Sequence, residues 1–587
     1  MLLETSFLPT KFGHKSNWGQ THGATSALAI SEAAQAHQGP ILALVKDTDS
    51  ALKLSAELNF FLTNTGLDCL MLPDWEILPY DSFSAHPDII SERISTLNQI
   101  THLSKGVVIV PVATLLHRLP PMNYLAGNSF TLTTGQELPQ TQFRHRLDQA
   151  GYLLTETVSQ AGEYALRGGL IDLYPMGSHA PLRIELFDDE IESLRYFDAD
   201  SQRTTALITQ FNLLPAREFP LTDAAISQFR QNFTSQFDLD PKACPVYQDV
   251  SQGFAPAGIE YYIPLFFNTM STLLDYLPAS TLVVKQGDIE AQALHFWRDI
   301  ESRYEDYGHD IERPLLAPKQ LFLFTDEMFF GLKKFPNINL QEGAFVEPEA
   351  NKGFYNLGGA QPPQVAINNQ LSKPLIALQT VLQAQQQNVL ICAESAGRKE
   401  ALLDLFKGLP KAPEDVENWP EFMTQKPHFA ICVAPLEQGL NLPEHNLLVV
   451  CEAQLFGQKV LQRRRRDKAT ENPNTAIHDL AELSIGNAVV HQDHGVGRYN
   501  GLQTLSIDGQ DAEFLVLLYA NEATLYVPVS GIELLSRYSG GENAPLHKLG
   551  GEQWTKAKRK AAEKIKDTAA ELLHIYALRE AQDGYAF

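Results

Sequence analysis

A short segment near the start of the chain contains the residue types that a phosphate-binding loop uses. These are two glycines and two hydroxyl residues: Gly19, Gly23, Thr25 and Ser26. A working loop reads Gly-x4-Gly-Lys-Ser/Thr, in which backbone amides cradle phosphates, the lysine neutralises them and the hydroxyl holds magnesium. Ala24 stands where that lysine would be sought, and Lys15 lies too far upstream to replace it. The segment therefore predicts a degenerate loop, with no cofactor, no metal and no catalytic residue in this chain.

A second group of reactive side chains lies between residues 163 and 200. Residues 185–200 carry seven acids and one base, Arg195, and alternation places Arg183, Glu185 and Phe187 on one strand face. A mixed face of arginine, phenylalanine and carboxylate suits an electrostatically steered protein interface. It is also compatible with a solvated strand face whose ion pairs contribute about 1 kcal/mol or less each. A solvent-facing acid run gives no reason for one raised and one lowered pKa, which argues against a glycosidase.

His491 and His494 are the remaining pair that could do chemistry. Two histidines could begin a metal site, but no cysteine or carboxylate cluster completes a ligand set at the usual spacing. We expect local hydrogen bonding at these histidines, and no metal.

Composition limits the classes of function. A net charge of −24 argues against nucleic-acid binding over the whole surface. Local contact with DNA could come from Arg463–Arg466 or Lys556–Lys566, but the first run is better explained as a solvated linker, and the second is open between DNA contact and a helix face. The five cysteines lack paired spacing, which indicates reduced thiols and a cytoplasmic protein. No apolar run approaches a membrane span.

Alternating strand and helix patterns predict a multidomain α/β protein. We place an α/β domain at 1–127, an α+β insertion at 128–214, the resumed α/β domain at 215–350 and a further α/β domain at 351–457. A basic linker at 458–478, a small β-barrel at 479–551 and a helix at 552–587 follow. Among the predicted strands is Gln320–Phe324.

The barrel prediction depends on a β-hairpin. Phe514–Tyr519 and Thr524–Val527 are apolar runs around a short polar gap, and Gly495, Gly497 and Gly501 precede them. About 65 residues of this kind are typical of an SH3- or Tudor-like barrel, whose edge strands can pair with a strand of a partner.

Two motifs of this barrel, Val490–Tyr499 and Leu525–Val529, resemble the RNA-polymerase-interacting module of the Mfd family of bacterial transcription-repair coupling factors. CarD-like transcription regulators share that module. The resemblance implies docking on the RNA polymerase β subunit through Leu505, and we add Arg498 and Tyr499 to the expected contact. A stand-alone CarD-like regulator is excluded because more than 450 residues precede the barrel.

Four motifs of the first 350 residues resemble the repair protein UvrB and the matching half of the Mfd family. They are Asp74–Asp81, Asp88–Arg93, Gly168–Pro175 and Gly258–Tyr261. The resemblance implies that UvrA binds at the matching positions, which are Arg167, Arg183, Phe187 and Asp189. Within the Mfd family the phosphate loop is degenerate, as it is here.

The full family protein is an ATP-driven DNA translocase, so ATP, magnesium and most contact with double-stranded DNA are expected only for motor domains that this chain lacks. We therefore expect a binding platform that joins UvrA to RNA polymerase, with no role assigned to 351–457. The alternative is a nucleotide-dependent α/β hydrolase with an atypical phosphate loop, which binding of an ATP analogue would favour.

Overall fold

The computed structural model describes residues 7–9, 13–199, 201–346, 352–367, 374–384, 387–456, 488–491, 494–507, 510–520, 523–528 and 535–537. The chain divides into two compact units, Met1–Lys459 and Val460–Phe587. The predicted linker at 458–478 and the predicted helix at 552–587 lie outside the described residues.

The strands of the first unit belong to four sheets. They are β1 (Lys15–Gly19), β2 (Pro40–Val45), β3 (Asp68–Met71), β4 (Gly106–Pro111), β5 (Phe130–Thr133), β6 (Leu153–Leu154), β7 (Glu163–Arg167), β8 (Leu170–Leu173), β9 (Leu182–Phe187), β10 (Glu190–Phe197), β11 (Thr204–Ile208), β12 (Gln210–Leu213), β13 (Leu282–Gln286), β14 (Asn337–Leu340), β15 (Phe354–Asn356), β16 (Asn388–Ala393), β17 (Glu414–Asp415), β18 (Phe429–Val433), β19 (Leu440–Leu442) and β20 (Leu447–Cys451).

The α-helices of this unit lie between those strands. They are α1 (Thr25–Ala36), α2 (Thr48–Phe61), α3 (Pro87–His102), α4 (Val112–Leu116), α5 (Met122–Asn128), α6 (Gln140–Gln149), α7 (Asp223–Gln236), α8 (Pro245–Ser251), α9 (Leu273–Tyr276), α10 (Ile289–Tyr307), α11 (Pro318–Leu321), α12 (Thr325–Leu332), α13 (Ile376–Ala384), α14 (Ala396–Phe406), α15 (Trp419–Gln425) and α16 (Glu452–Phe456). Short 3-10 helices cover Pro241–Ala243, Ile259–Phe266 and Pro443–His445.

The first sheet is parallel, with seven strands in the order β15-β1-β14-β13-β2-β4-β3. Every residue of β2 and β4 is buried, as expected for central strands covered on both faces. Alternate residues of β2 face opposite sides: Ile41 packs with α1 and α2, whereas Leu42 packs with α3. This confirms the α/β prediction for the region.

One predicted strand is wrong. Gln320–Phe324 does not form a strand: the short helix α11 ends at Leu321, and Phe322 makes an isolated antiparallel bridge to His117. Pro318 occupies the first turn of that helix, where its missing N–H costs nothing. A short apolar run fits a buried helix or a buried strand equally well.

The segment Phe354–Asn356 also differs from its predicted place. The sequence pattern predicts that it belongs to the 351–457 domain, whereas it forms β15 and extends the first sheet by pairing with β1. The predicted 351–457 domain instead contains a separate sheet that begins later in the chain. It has five strands in the order β17-β18-β16-β20-β19, and we call it the third sheet. One of its faces packs on α14, and the other shares a hydrophobic cluster with α1 and α2.

The insertion contains a six-stranded sheet in the order β11-β10-β9-β8-β7-β6. Its strands are antiparallel except for the short β6–β7 pair. One face buries Tyr164, Ile171 and Ile184 against Phe143 and Leu147 of α6. The opposite face carries polar side chains, and β5 pairs with β12 in a separate two-stranded sheet.

The described strands of the second unit are β21 (Ala488–His491), β22 (Gly495–Ile507), β23 (Gln510–Leu518), β24 (Thr524–Pro528) and β25 (Leu535–Arg537). The predicted hairpin is confirmed, because Leu518 pairs with Thr524 and Phe514 with Pro528. The five strands form an open antiparallel sheet in the order β24-β23-β22-β21-β25, and no pairing closes it into the predicted barrel within the described residues.

Candidate functional sites

The degenerate loop lies where a phosphate loop would lie, between the end of β1 at Gly19 and the start of α1 at Thr25. Four of its backbone amides donate to protein carbonyls: Gln20 to Gly343 (3.2 Å), Thr21 to Gln341 (3.3 Å), Ala24 to Gly439 (3.0 Å) and Thr25 to His22 (3.2 Å). A phosphate cradle needs amides that point at the ligand without a protein acceptor. These four amides are already occupied.

The loop's hydroxyls face the protein as well. Thr21 Oγ1 donates to the Gln341 carbonyl at 2.9 Å, and Ser26 Oγ contacts the Gly23 carbonyl at 3.4 Å. Ser26 Oγ also accepts from Gln286 Nε2 at 3.1 Å. Thr25 follows Ala24 and therefore occupies the position of the hydroxyl that would hold magnesium in a working loop; it is fully buried, and its Oγ1 makes no hydrogen bond.

A polar cavity of about 260 Å³ lies beside the loop, at the carboxyl ends of the first sheet's strands. Glu57, on its α2 wall, is 1% exposed and lies 4.0 Å from Lys53 Nζ. Burial raises the pKa of Glu57 to about 7, because the ionised carboxylate loses its hydration; Lys53 lowers it and Glu437 raises it. In the described part of the chain, no group of three or more His, Cys, Asp or Glu residues is placed to hold a metal.

Arg183 lies on the polar face of the six-stranded sheet, where its side chain contacts other residues of the same sheet. Its guanidinium makes a bidentate ion pair with Asp172 (Nε–Oδ1 2.7 Å, Nη2–Oδ2 2.9 Å) and lies 4.7 Å from the Phe197 ring centroid. Only 17% of the Arg183 side chain and 5% of the Asp172 side chain is exposed. The hydrogen bonds to Asp172 raise the pKa of Arg183.

Arg167, Phe187 and Asp189 lie instead at the tips of two neighbouring hairpins, β7–β8 and β9–β10. Leu186 N donates to Gly169 O at 2.8 Å, which joins the two tips. Phe187 is 71% exposed, and Arg167 and Asp189 are also exposed. We call Arg167, Leu170, Phe187 and Asp189 the hairpin-tip surface.

The hairpin-tip surface is ordered by hydrogen bonds to neighbouring loops. Arg167 Nη2 donates to Glu156 O at 2.7 Å and to Thr157 Oγ1 at 3.2 Å. The Asp189 carbonyl accepts from Leu138 N at 2.5 Å. Leu170, 37% exposed, was missed by sequence reasoning, although it follows two glycines at a turn and therefore stands at a hairpin tip.

In the second unit, the three predicted polymerase contacts occupy different environments. Tyr499 is 6% exposed and packs in the sheet's core with Leu515 and Leu517. Arg498 is half-buried and pairs with Ala488 and Leu518 through the backbone. Leu505 pairs with Ala512 of β23.

Among the described strands, one side of β22 has no partner beside Leu505. Residues 495–498 of β22 pair with β21 on that side, whereas the described pairing of Leu502–Ile507 is with β23 on the other side. Within the described strands, nothing pairs with the other side of Leu502–Ile507. We call this segment the free β22 edge; its Leu502 is 46% exposed.

His491 and His494 lie beside each other, with ring centroids 4.7 Å apart. His491 is 5% exposed and belongs to β21, next to the turn that leads into β22. No third ligand joins them within the described residues.

The UvrB-like motifs form a buried network. Arg93, fully buried, contacts Glu218 (Nε–Oε1 2.8 Å), and Trp75 Nε1 donates to the other oxygen of Glu218 at 3.0 Å. Nearby, burial lowers the pKa of His117 to about 3, assisted by the positive charge of Arg93. Sequence reasoning missed Glu218, which lies 125 residues after Arg93 and has no local signal. Trp75 and Arg93 therefore stabilise the fold from inside, whereas Leu170 of the Gly168–Pro175 motif lies on the hairpin-tip surface.

No helix in the part of the chain that the structure describes has the length and apolar character needed to cross a membrane.

Three family models match separate parts of the chain. Residues 130–219 match the UvrB interaction domain, 382–455 match the MFD D3 domain, and 483–539 match the CarD-like/TRCF RID domain. The first match contains the whole hairpin-tip surface, and the third contains the free β22 edge.

Curated relatives align along almost the entire chain. The transcription-repair-coupling factor of Escherichia coli (strain K12) is 46% identical over 99% of this chain and 50% of its own length. The Haemophilus influenzae factor is 44% identical over 99% of this chain and 50% of its own length. The Bacillus subtilis factor is 27% identical over 96% of this chain and 49% of its own length. The chain spans about half the length of the curated relatives it matches, and over that span it is similar to members of the transcription-repair-coupling factor family.

Proposed function

We propose that the chain is a recruitment platform that binds two proteins: UvrA at the hairpin-tip surface and the RNA polymerase β subunit at the free β22 edge. Joining them would couple removal of polymerase stalled at DNA lesions to nucleotide excision repair. The relatives are transcription-repair-coupling factors, which supports coupling of transcription to repair. The UvrB interaction and RID models support the two kinds of partner.

The observation that carries the proposal is the hairpin-tip surface. A phenylalanine that is 71% exposed costs solvation free energy unless a partner covers it, and exposed apolar groups with charged neighbours are common at protein interfaces. Arg167 and Asp189 flank Phe187 on an ordered pair of hairpins, so binding would order few side chains.

The free β22 edge supports the polymerase half of the proposal. Unpaired strand edges can accept a strand from another protein, with main-chain hydrogen bonds giving affinity and side chains giving specificity. Leu505 belongs to the open segment, whereas buried Tyr499 supports the sheet from within.

Absence of nucleotide turnover in this chain is also part of the proposal. It is supported by Ala24 at the lysine position and by the loop amides that donate to carbonyls. ATP, magnesium and most contact with double-stranded DNA would then belong to other parts of the full-length family protein.

Binding of purified UvrA tests the first surface. Phe187→Ala and Arg167→Glu should each weaken binding at least about tenfold, as expected when an anchor residue of an interface is lost. Leu207→Ala is the matched control, because Leu207 is 67% exposed on β11 at the edge of the same sheet. Equal affinity of the Phe187 and Leu207 variants would contradict the assignment. Arg183 is unsuitable for this test, because a charge reversal would face buried Asp172.

Binding of the polymerase β subunit tests the second surface. Leu505→Arg should abolish binding while the circular dichroism spectrum is unchanged. Tyr526→Arg is the control, since Tyr526 is 42% exposed on β24, which pairs with the opposite side of β23. Unchanged affinity of the Leu505 variant would remove the free β22 edge from the proposal.

A further inference from the structure

The first and third sheets of the first unit share one hydrophobic cluster. Trp419 of α15 lies edge-on to Phe60 and Phe61 of α2, with ring centroids 5.8 and 5.0 Å apart. The same cluster contains Leu28 of α1 and Leu440 of β19. Helices α1 and α2 therefore have the first sheet on one side and the third sheet on the other.

The turn at Gly439, directly before β19, contacts the degenerate loop at one end of this interface. The Gly439 carbonyl accepts from Ala24 N at 3.0 Å, at the point where α1 is about to begin. Ala24 shows no side-chain cap hydrogen bond, so this carbonyl supplies an acceptor at a helix start that has none of its own.

The turn is itself held in position. Gln454 Oε1 accepts from both Gly439 N (3.1 Å) and Cys451 N (3.0 Å). A Cβ on Gly439 would come 2.0 Å from the Val449 carbonyl and 2.4 Å from Gln454 Oε1. The third sheet therefore fixes where the Gly439 carbonyl points.

The loop is shaped to accept the turn. Gly23 has φ +59°, and a Cβ there would lie 2.2 Å from the Gly439 carbonyl oxygen. A Cβ on Gly359 would likewise lie 2.3 Å from the Gln20 carbonyl, and Gly358 N donates to Gln20 Oε1 at 3.2 Å. Ala360, the next residue of this segment, donates to Asn441 O at 2.8 Å. Two close backbone approaches thus connect the loop to the third sheet.

We propose that the degenerate phosphate loop is an intramolecular docking socket, whose occupant is the turn of the third sheet centred on Gly439. A partial negative charge from a protein carbonyl takes the place of phosphate at the start of α1, where the helix dipole favours such charge. Docking of the turn and binding of a phosphate would compete for the same amide. The socket would hold the 387–456 region on the first sheet, which gives that region a structural role.

Hydrogen exchange on the full chain, followed by mass spectrometry, tests the socket. Gly23→Ala should speed exchange in β18 and β20 by at least about tenfold, because its Cβ and the Gly439 carbonyl cannot occupy the same space; tenfold corresponds to about 1.4 kcal/mol. Gly66→Ala is the matched control: Gly66 has φ +70°, so the backbone strain is similar, but its Cβ would meet no atom within 4 Å.

Exchange in the six-stranded sheet of the insertion serves as the internal reference for global unfolding. If Gly23→Ala also unfolds that sheet, Gln454→Ala is the variant to use. It removes the acceptor of the Gly439 amide and leaves the residues of the degenerate loop unchanged. Faster exchange in peptides covering residues 20–28 of the Gln454 variant, compared with Gln425→Ala at an exposed position of α15, would support the socket. Equal exchange in Gly23→Ala and Gly66→Ala, or in the two glutamine variants, would overturn it.

Discussion

Replacing Glu57 by glutamine should change how the stability of the first unit depends on pH. Glu57 is 1% exposed at the wall of the cavity beside the loop, and its raised pKa, about 7, means that the folded protein holds this proton more tightly than the unfolded chain. Glutamine has nearly the same shape and cannot ionise. The substitution therefore removes one titration and leaves the packing in place.

The sign and size follow from proton linkage. Between pH about 4.5, the ordinary value for a glutamate, and pH about 7, the unfolded state loses a proton that the folded state retains. The free energy of unfolding must therefore fall as pH rises through this window, by up to about 1.4 kcal/mol per pH unit and by about 3 kcal/mol in total. Above the folded pKa this loss is complete and stays constant.

Urea unfolding at about pH 5 and about pH 8 provides the measurement. The wild type should lose about 2.5 kcal/mol more stability than Glu57→Gln between these two pH values, because at about pH 5 the unfolded chain has already begun to ionise. Glu305→Gln, an exposed change on α10, is the control and should follow the wild type. Parallel pH profiles for the wild type and Glu57→Gln would refute the reasoning.

Three further changes have expected outcomes in thermal and urea unfolding. Arg183→Ala should destabilise the insertion by about 3 kcal/mol, because buried Asp172 loses its bidentate partner, and retention of full stability would contradict that ion pair. Glu218→Gln should cost about 3 kcal/mol or more, since fully buried Arg93 loses its counter-charge; a cost below about 1 kcal/mol would be inconsistent with the buried network. Tyr499→Ala should cost about 3 kcal/mol through the cavity it leaves in the second unit, and an unchanged unfolding midpoint would place Tyr499 outside the core.

Local pattern was sufficient to predict most elements that carry the sites. Continuous apolar runs identified the buried parallel strands, such as Pro40–Val45, because both of their faces are covered. Alternation identified β9, with Ile184 inside and Phe187 at its exposed end. Two apolar runs around a short gap identified the β23–β24 hairpin.

Contacts between distant segments were not predictable in this way. The pairing of Phe354–Asn356 with β1 joins residues more than 330 positions apart, and the Gly439 carbonyl reaches a loop more than 400 positions earlier. Nothing in the local residue types encodes either contact. Similarly, alternation placed Arg183 and Phe187 on one face of the strand. It could not show that Arg183 forms an ion pair with Asp172 while Phe187 is exposed to solvent.

Simultaneous binding tests the recruitment proposal most directly. The purified chain, UvrA and the RNA polymerase β subunit can be mixed and separated by sedimentation velocity. The proposal predicts one complex that contains all three proteins. The Phe187→Ala variant should lose UvrA and keep the β subunit, and the Leu505→Arg variant should lose the β subunit and keep UvrA. If either variant released both partners, or neither partner joined the wild-type chain, the chain would not be a platform with two separate docking surfaces.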